Sequence, residues 1–182
     1  MQQRWVLIIG LCTLIAVNLF FFSTNEAQAA SGNGPYYATP SWDQRLAPAT
    51  RFIVLMDWSS QAVLDRETGL VWEQSPSATS YGWINARLAC TGLTTGGRKG
   101  WRLPSIHELA SLVDPTNTKP ALPTGHPFTK DELLGYWSAT TDTVDPTTAW
   151  VVIFDTGTVF TASKLLTGSV WCVRGGNSAD AY

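Results

Sequence analysis

An apolar run near the N-terminus, from Trp5 to Phe22, constrains this chain more than any other feature. Arg4 precedes the run, and the polar segment that follows it ends in Ala27-Gln28-Ala29. A basic start, an apolar centre and small residues two positions apart are the three parts of a secretory signal peptide. We therefore predict that residues 1–30 are a signal peptide, which directs the chain across a membrane.

The same run is long enough to span a bilayer if it stays uncut, since about 20 apolar residues cross the hydrocarbon core. An N-terminal anchor with Arg4 on the cytoplasmic side is therefore the alternative. We favour cleavage before Ala30 or Ser31, because the small residues lie at the distance from the run that a signal peptidase requires. We expect an exported protein, periplasmic or extracellular, that meets a membrane only if cleavage fails.

The remaining residues are enough for one domain of about 150 residues with its own core. The whole chain has a formal net charge of −2, so it offers no basic surface to a phosphate backbone, and we expect no nucleic-acid partner. Nine Trp and fifteen Gly favour a turn-rich extracellular domain. We divide the chain into an irregular arm or linker at 31–50, a domain at 51–176 and a tail at 177–182.

Two cysteines remain after export, Cys90 and Cys172. An even number of cysteines in an oxidising compartment favours a disulfide between them, and two separate buried thiols are the alternative. Two isolated cysteines without a nearby histidine pair do not make a tetrahedral zinc site. We predict a disulfide, no metal and no cofactor.

The hydrophobic pattern predicts an α+β fold, with strands before and after two helices that pack on antiparallel β-sheets. Gly69 and the triplet Asp155-Thr156-Gly157 mark the turns of two hairpins. The predicted strands are 51–57, the two halves of 62–74, 135–140, 149–160 and 168–174, and the predicted helices are 83–90 and 106–113.

The segment from Trp101 to Glu108 contains the strongest local motif. Ser105 stands three residues before Glu108, the spacing of a capping box at a helix start. Arg102 and Glu108 could instead form a charge pair that faces a ligand. We favour the structural interpretation, because Trp101 and Leu103 can fill the core while Pro104 fixes the entry of the chain into the helix.

Several segments together resemble the Lcl C-terminal domain family, which is named for the end of a collagen-like bacterial adhesin. The resemblance covers nearly all residues from Arg51 to Gly175, in the order that the family has them, and implies a C-type-lectin-like fold. Relatives of that fold include lectins, adhesins and the formylglycine-generating enzyme, so the fold alone does not choose a function. The matching pieces are DRETGLVWE at 65–73, the helix ending in Cys90, GWRLPSIHELASLVD at 100–114, YWSAT at 136–140, AWVVIFDTG at 149–157 and VWCVRG at 170–175.

Candidate binding residues lie in the second half of the domain. Trp137 and Trp150 could stack on a sugar ring, although tryptophan in a strand is more often part of a core. Asp142 and Asp145 provide oxygen ligands of the kind calcium needs, although such aspartates usually belong to a solvated turn. The Glu-Pro-Asn, Gln-Pro-Asp and Trp-Asn-Asp triplets of calcium-dependent lectins that this fold resembles are absent from the sequence.

Catalytic motifs are also absent from the sequence. No Gly-x-Ser-x-Gly, His-Glu-x-x-His or phosphate-binding glycine loop is present. Ser105 and His107 stand at a helix start, where side chains two apart diverge, so they do not form a nucleophile and base pair. The formylglycine-generating relatives use reactive cysteines, whereas both cysteines here match the expected bridge.

We therefore predict a non-enzymatic binding or adhesion module that contacts an unknown protein or glycan through the loops at 114–148. A structural or accessory subunit of a cell-envelope or surface assembly is the alternative.

Overall fold

Two sheets of five strands each form the framework of the computed structural model, which describes residues 46–129 and 135–176. The predicted signal peptide, most of the arm and the tail lie outside these residues. The strands are β1 Phe52–Val54, β2 Ala62–Asp65, β3 Leu70–Glu73, β4 Ser77–Gly82, β5 Trp101–Arg102, β6 Gly135–Thr141, β7 Thr148–Ile153, β8 Thr158–Ser163, β9 Thr167–Val170 and β10 Val173–Arg174.

The strand order is β1-β2-β3-β10-β5 in the first sheet and β4-β9-β6-β7-β8 in the second. Neighbouring strands pair antiparallel except β6 and β9, which run parallel with Tyr136 opposite Ser169. The α-helices are α1 Pro48–Arg51, α2 Trp83–Thr91 and α3 Ile106–Ala110, with short 3-10 helices at Met56–Trp58 and Thr95–Gly97. The α+β prediction is confirmed. No helix in the described ranges has the length and hydropathy to cross a bilayer.

The two predicted hairpins are confirmed. Gly69 joins β2 to β3 at a φ of 70°, and Gly157 joins β7 to β8 at a φ of 72°. Both angles lie in the left-handed region, which glycine adopts without a steric penalty. At Gly157 a side chain would also collide with Val113, because a Cβ there would lie 2.9 Å from its Cγ1.

Helix α2 forms where the helical spacing predicts it. Trp83, Ala86 and Cys90 are buried at intervals of three and four residues, whereas Ile84 and Leu88 are 67% and 62% exposed. The capping box of α3 is also present, since the Ser105 hydroxyl accepts from Glu108 N and the Glu108 carboxylate accepts from Ser105 N. α3 ends at Ala110 rather than Val113, because the next turn tightens into bonds between residues three apart.

Two strand predictions need correction, and two strands, β4 and β5, are missing from the prediction. The predicted strand at 51–57 ends at Val54, where the chain turns into a 3-10 helix. The predicted strand at 168–174 is two strands, β9 and β10, which belong to different sheets. Strand β4 is missing from the prediction, because its sequence, SATSYG, is mostly polar and its pairing with β9 is irregular.

Several strands are buried on both faces, and each face contributes to a different part of the core. Along β3, Val71 and Trp72 lie in different hydrophobic clusters, as do Val151 and Val152 along β7. Successive side chains of a strand point to opposite faces, so a strand that is covered on both faces has a continuously apolar sequence. Helix α2 contributes to one cluster through Ala86 and Cys90, and the segment that contains α3 contributes to the other.

A buried ion pair fixes the start of the domain. Arg51, only 1% exposed, donates to both oxygens of Asp65 at 2.9 and 2.8 Å and to the Ser111 carbonyl at 2.8 Å. Leu46 N donates to Glu67 at 2.6 Å, which ties the end of the arm to the first hairpin. The predicted boundary at Arg51 therefore falls inside the ordered structure, at the last residue of α1.

The predicted disulfide is present between Cys90 and Cys172, which lie 82 residues apart in sequence and 5.4 Å apart at Cα. Cys90 belongs to α2, and Cys172 lies in the short segment between β9 and β10. The bridge thus ties the helix to the point at which the chain crosses from one sheet to the other.

Reduction of this disulfide should lower the free energy of unfolding by about 4–5 kcal/mol, because a loop of this length regains its conformational entropy in the unfolded chain. Urea unfolding of the domain with and without a thiol reductant measures the difference. An unchanged midpoint under conditions that give two free thiols by mass would contradict this prediction.

Candidate functional site

The turn that carries Asp142 and Asp145 uses their carboxylates for its own structure. Asp142 accepts from Val144 N at 3.0 Å, and Asp145 accepts from Thr147 N at 2.9 Å and its hydroxyl at 2.6 Å. The hydroxyl and the amide of Thr147 lower the pKa of Asp145. The described residues contain no group of three metal-ligating side chains. The two aspartates therefore behave as turn residues.

The two tryptophans differ in exposure. Trp137 is 1% exposed, and its indole N–H donates to the Tyr81 carbonyl at 2.9 Å. Its proposed role as a stacking platform is wrong, because the side chain lies in the core of the second sheet and no ring can reach its face. Trp150 on β7 is half-buried and stands opposite Thr161 of β8. Trp137 is buried and the two aspartates bond within their own turn, so these candidate binding residues do not form a common site.

Arg102 and Glu108 form an ion pair at the start of α3. Arg102 donates to both Glu108 oxygens and, at 2.6 Å, to the Gly175 carbonyl. Glu108 is 9% exposed and accepts from Ser105 N as well. Around them, Trp101 and Leu103 are buried in the core, as is Pro104. These contacts join the capping box to the segment that follows β10.

A polar pocket lies elsewhere, at the end of β3. Its volume is about 590 Å³, and we call it the Glu73 pocket after its one carboxyl side chain. Three segments form it: the turn after the first 3-10 helix, the end of β3, and the loop after α2. The lining residues are Ser59, Ser60, Gln61, Glu73, Gln74, Ser75, Leu93, Thr94 and Thr95.

Backbone constraints fix the walls of the Glu73 pocket. Ser59 and Ser60 have φ of 55° and 56°, values that residues other than glycine rarely adopt. Gly96 N donates to Gln61 Oε1 at 2.9 Å, and Gln74 N donates to the Gln61 carbonyl at 3.0 Å. Gln61 therefore joins all three wall segments. Ser59 is the left-handed C-cap of the first 3-10 helix, and left-handed backbone at residues other than glycine is also enriched at functional sites.

Glu73 lines the pocket and is only 6% exposed. Its N–H donates to the Cys172 carbonyl at 3.2 Å, and its carbonyl accepts from the Trp171 indole at 2.9 Å. Its carboxylate oxygen Oε2 accepts from Cys172 N at 2.9 Å. No donor within the described ranges reaches the other oxygen, Oε1.

Burial raises the pKa of Glu73 to about 7, and the hydrogen bond from Cys172 N offsets part of this rise. No cation pairs with the carboxylate in the described part of the chain. A desolvated carboxyl without a counter-charge that lines a pocket is the kind of titratable group that marks binding and catalytic sites. The Glu73 pocket is therefore the candidate functional site.

Sequence reasoning missed this site for a physical reason. The lining residues come from three separate segments, and none of those segments carries a motif. The one signal available was Glu73 itself, a charged residue that continues the apolar run of Leu70, Val71 and Trp72. A carboxyl at the end of a fully buried strand needs an explanation, since buried acids are rare unless they are paired.

Glu73 should make the protein less stable as the pH rises. Because its pKa is higher in the folded state, its contribution is fully present below its ordinary pKa of 4.5 and is lost as the pH rises through about 7. The loss corresponds to about 3 kcal/mol. Between pH 4.5 and 9, Glu73→Gln should remove this component and be more stable than the wild type above pH 7.

Urea unfolding at a series of pH values, taken as the difference between wild type and Glu73→Gln, measures this component. Asp57→Asn is the matched control, because Asp57 is exposed and does not line the pocket. Equal pH dependence of the wild type and Glu73→Gln would contradict the prediction.

Comparison with known proteins adds one finding. A family model, the Lcl C-terminal domain, matches residues 61–174. No curated protein matches the chain. The matched region includes Glu73, both cysteines of the disulfide and the capping box of α3. Because the match covers well over half of the 182 residues, this protein belongs to the Lcl C-terminal domain family.

Proposed function

We propose that this protein is an exported, non-enzymatic binding or adhesion module that holds its ligand in the Glu73 pocket. The observation that carries the proposal is a carboxyl that lines a polar pocket of about 590 Å³ and whose Oε1 accepts from no described donor. Pockets of this size accommodate small ligands or the end of a larger one. The C-type-lectin-like fold expected from the sequence agrees with such a role.

The energetics of Glu73 support a binding role. The carboxyl destabilises the folded protein at neutral and higher pH, because it loses its hydration without gaining a counter-charge. A residue that departs from the usual pattern, as a buried and unpaired acid does, and that lowers stability is expected at a functional site. A ligand that donates a hydrogen bond to Oε1 would satisfy the carboxylate and recover part of this cost.

The side chains of the pocket do not assemble into a catalytic group. Ser59, Ser60 and Ser75 could serve as nucleophiles only beside a base, and none of their hydroxyls donates to Glu73, the one titratable lining residue, in the described part of the chain. His107 lies on α3 and His126 follows a turn beyond it, and neither lines the pocket. We therefore favour binding without turnover.

Export is the second part of the proposal. It rests on the three-part N-terminal segment in the sequence and agrees with the disulfide between Cys90 and Cys172, since disulfides persist in oxidising compartments. The loops at 114–148, where the sequence suggested ligand contact, are no longer the favoured binding surface.

Intact-mass measurement on protein from the native envelope and medium tests export. We expect a mass that begins at Ala30 or Ser31 and that increases on reduction by the hydrogens of one disulfide. A mass that retains residues 1–30 would instead mean an N-terminal anchor, and recovery from the cytoplasm with free thiols would contradict export.

A role as an accessory subunit of an envelope assembly is the second candidate, favoured by exposed apolar side chains at neighbouring turns. Val144 and Leu165 are 90% and 94% exposed, and the Lys164 N–H donates to the Thr147 carbonyl, which joins their two turns. Purification from native membranes separates the candidates. An accessory subunit should purify with defined partners. Leu165→Glu should remove these partners, whereas a variant with a blocked Glu73 pocket should retain them.

A side chain that blocks the pocket should weaken binding without loss of the fold. Thr94 lines the pocket and is exposed, so Thr94→Arg adds a long side chain at its rim with little effect on the core. On an array of glycans and of extracellular and envelope proteins, the wild-type domain should bind saturably, and Thr94→Arg should reduce affinity at least about tenfold, equivalent to about 1.4 kcal/mol.

Thr143→Arg is the matched control, because Thr143 is also exposed but lies in the turn with Asp142 and Asp145. It should bind like the wild type. Loss of binding in Thr143→Arg but not in Thr94→Arg would place the ligand at the 142–147 turn and contradict the pocket. Absence of any saturable binding by the wild type would count against a binding module.

A further inference from the structure

The Glu73 pocket contains one ionisable group, and its lining holds no opposite charge. Glu73 is only 6% exposed, and no lysine or arginine is among the lining residues. No ion pair within the described ranges includes this carboxylate. An ionised carboxylate that is buried without a partner is costly, and a positive charge beside it offsets that cost. The charge of the pocket therefore favours a cationic ligand and opposes an anionic one.

The carboxylate offers one oxygen rather than two. Oε2 already accepts from Cys172 N at 2.9 Å, whereas Oε1 accepts from no described donor. A planar guanidinium pairs best with both oxygens of a carboxylate, as Arg51 does with Asp65 in this protein. An ammonium is a compact charge whose three N–H groups can each bond to a separate acceptor. The available oxygen of Glu73 therefore suits an ammonium better than a guanidinium.

Other lining groups match the rest of an alkyl ammonium. Five lining side chains carry hydroxyl groups, which accept hydrogen bonds as well as donate them. They can therefore bond to the N–H groups that Glu73 does not take. Leu93 is the one aliphatic lining residue, and the carbon chain of an amine can lie against it. The pocket thus offers polar contacts to the charged head and an apolar contact to the stem.

A metal ion fits this lining less well than an ammonium does. Calcium takes about six to eight oxygen ligands and usually several carboxylates, whereas Glu73 is the one carboxylate in the lining. Zinc requires thiolate, imidazole or carboxylate ligands, and the lining contains no cysteine or histidine. An organic cation, which brings its own donors, is therefore the better match.

We infer that the Glu73 pocket binds a primary ammonium group, which donates to Glu73 Oε1 and pairs with its charge. The group is the Nζ of a lysine side chain or the N-terminal amine of a peptide, two sources that share one chemistry. This inference rests on the proposed function and names the class of ligand. It makes the partner a protein or peptide that presents an exposed amine.

The proposed contact makes affinity depend on pH, because protonation of Glu73 removes the charge with which the ammonium pairs. The pKa of Glu73 is about 7, so the ionised fraction falls from about three quarters at pH 7.5 to about 3% at pH 5.5. The lysine ammonium stays protonated over this range, so its dissociation constant should rise about 25-fold. An N-terminal amine gains protons over the same range, so its loss should be smaller, about 15-fold.

Neighbouring charges do not set this titration. Asp57 and Arg98 continue two of the wall segments but are exposed. Arg98 and Arg174 both lie over the Trp58 ring, at 5.5 Å from its centroid, and His126 stacks on an aromatic ring of the core. None of these charged or titratable groups lines the pocket. The pKa of the carboxyl is shifted by burial and by the hydrogen bond from the backbone of the disulfide-bonded Cys172.

NMR chemical-shift titration of the protein with four tripeptides tests the inference. The first is a capped peptide with lysine between two glycines, and the second is the same peptide acetylated at Nζ. The third has arginine in place of lysine, and the fourth has a free N-terminal amine and no lysine. We expect the lysine peptide, the free-amine peptide or both to bind at pH 7.5 and at least about 15-fold more weakly at pH 5.5.

Glu73→Gln locates the contact within the pocket. The variant removes the charge but keeps an oxygen for Cys172 N, so it should fold. It should bind the amine peptide at least about tenfold more weakly at pH 7.5, because hydrogen bonds to charged groups are the stronger ones. The fall in affinity that Glu73 causes between pH 7.5 and pH 5.5 should be absent.

Charged substitutions at the rim keep the test informative if Glu73→Gln does not fold. Thr94 lines the pocket and is exposed, so Thr94→Glu adds a second negative charge with little effect on the core. Thr94→Gln is its uncharged match. Thr94→Glu should bind the amine peptide at least about twofold more tightly than Thr94→Gln, and Thr94→Arg should bind it more weakly. Equal affinity of all three variants contradicts recognition of a positive charge.

The outcomes separate the ligand class from the function. Binding of one amine peptide alone supports the inference and identifies the source of the ammonium. Equal binding of the acetylated peptide overturns the inference, because that peptide keeps the carbon chain and lacks the charge. Preference for the arginine peptide also overturns it, as does amine binding that neither pH nor Glu73→Gln changes.

Failure of the inference leaves the proposed function testable on the array. If none of the four peptides binds but a member of the array binds in a manner that Thr94→Arg abolishes, the inference fails and the proposed function stands. If nothing binds through the pocket, both fail.

Discussion

The crossing of the chain between its two sheets, at Trp171 and Cys172, is the constraint on which the rest of the structure depends. β9 ends in the second sheet just before these residues, and β10 begins in the first sheet just after them. Trp171 lies at the centre of the aromatic core, and Cys172 bonds covalently to α2. The rings around Trp171 are Phe128 at 4.7 Å, Phe154 at 5.4 Å, Tyr136 at 5.6 Å and Trp72 at 5.7 Å between centroids. Both sheets and the longest described helix therefore meet at two adjacent residues.

The same crossing determines where the Glu73 pocket lies. Glu73 bonds to residues 171 and 172 through its N–H, its carbonyl and one carboxylate oxygen. These bonds leave Oε1 as the carboxylate oxygen that accepts from no described donor. Loss of the disulfide would therefore act on the pocket as well as on stability, because Cys172 holds the carboxylate in place.

The sequence predicts those parts of this fold whose causes are local. The turn at Gly69, the helix that ends near Cys90 and the capping box of Ser105 each depend on residues a few positions apart, and each is present. The disulfide was also predictable, because only two cysteines follow the N-terminal segment. Trp137 was misjudged as a possible platform, since the pattern around it does not reveal that both faces of β6 are covered. The pocket was not predictable, because its walls become neighbours only when α2 and the first sheet pack together.

Hydrogen bonds within the domain already hold the walls of the pocket when no ligand is present. Gln61 is held by Gly96 N and by the backbone of Gln74, and Glu73 is held by Cys172. A site whose polar groups are already fixed loses little side-chain freedom when a ligand arrives, so more of the contact energy remains as affinity. The stability that Glu73 costs the free protein comes from its burial, and the hydrogen bond from Cys172 N offsets part of that cost. The domain is therefore least stable when Glu73 is ionised and no donor reaches its Oε1.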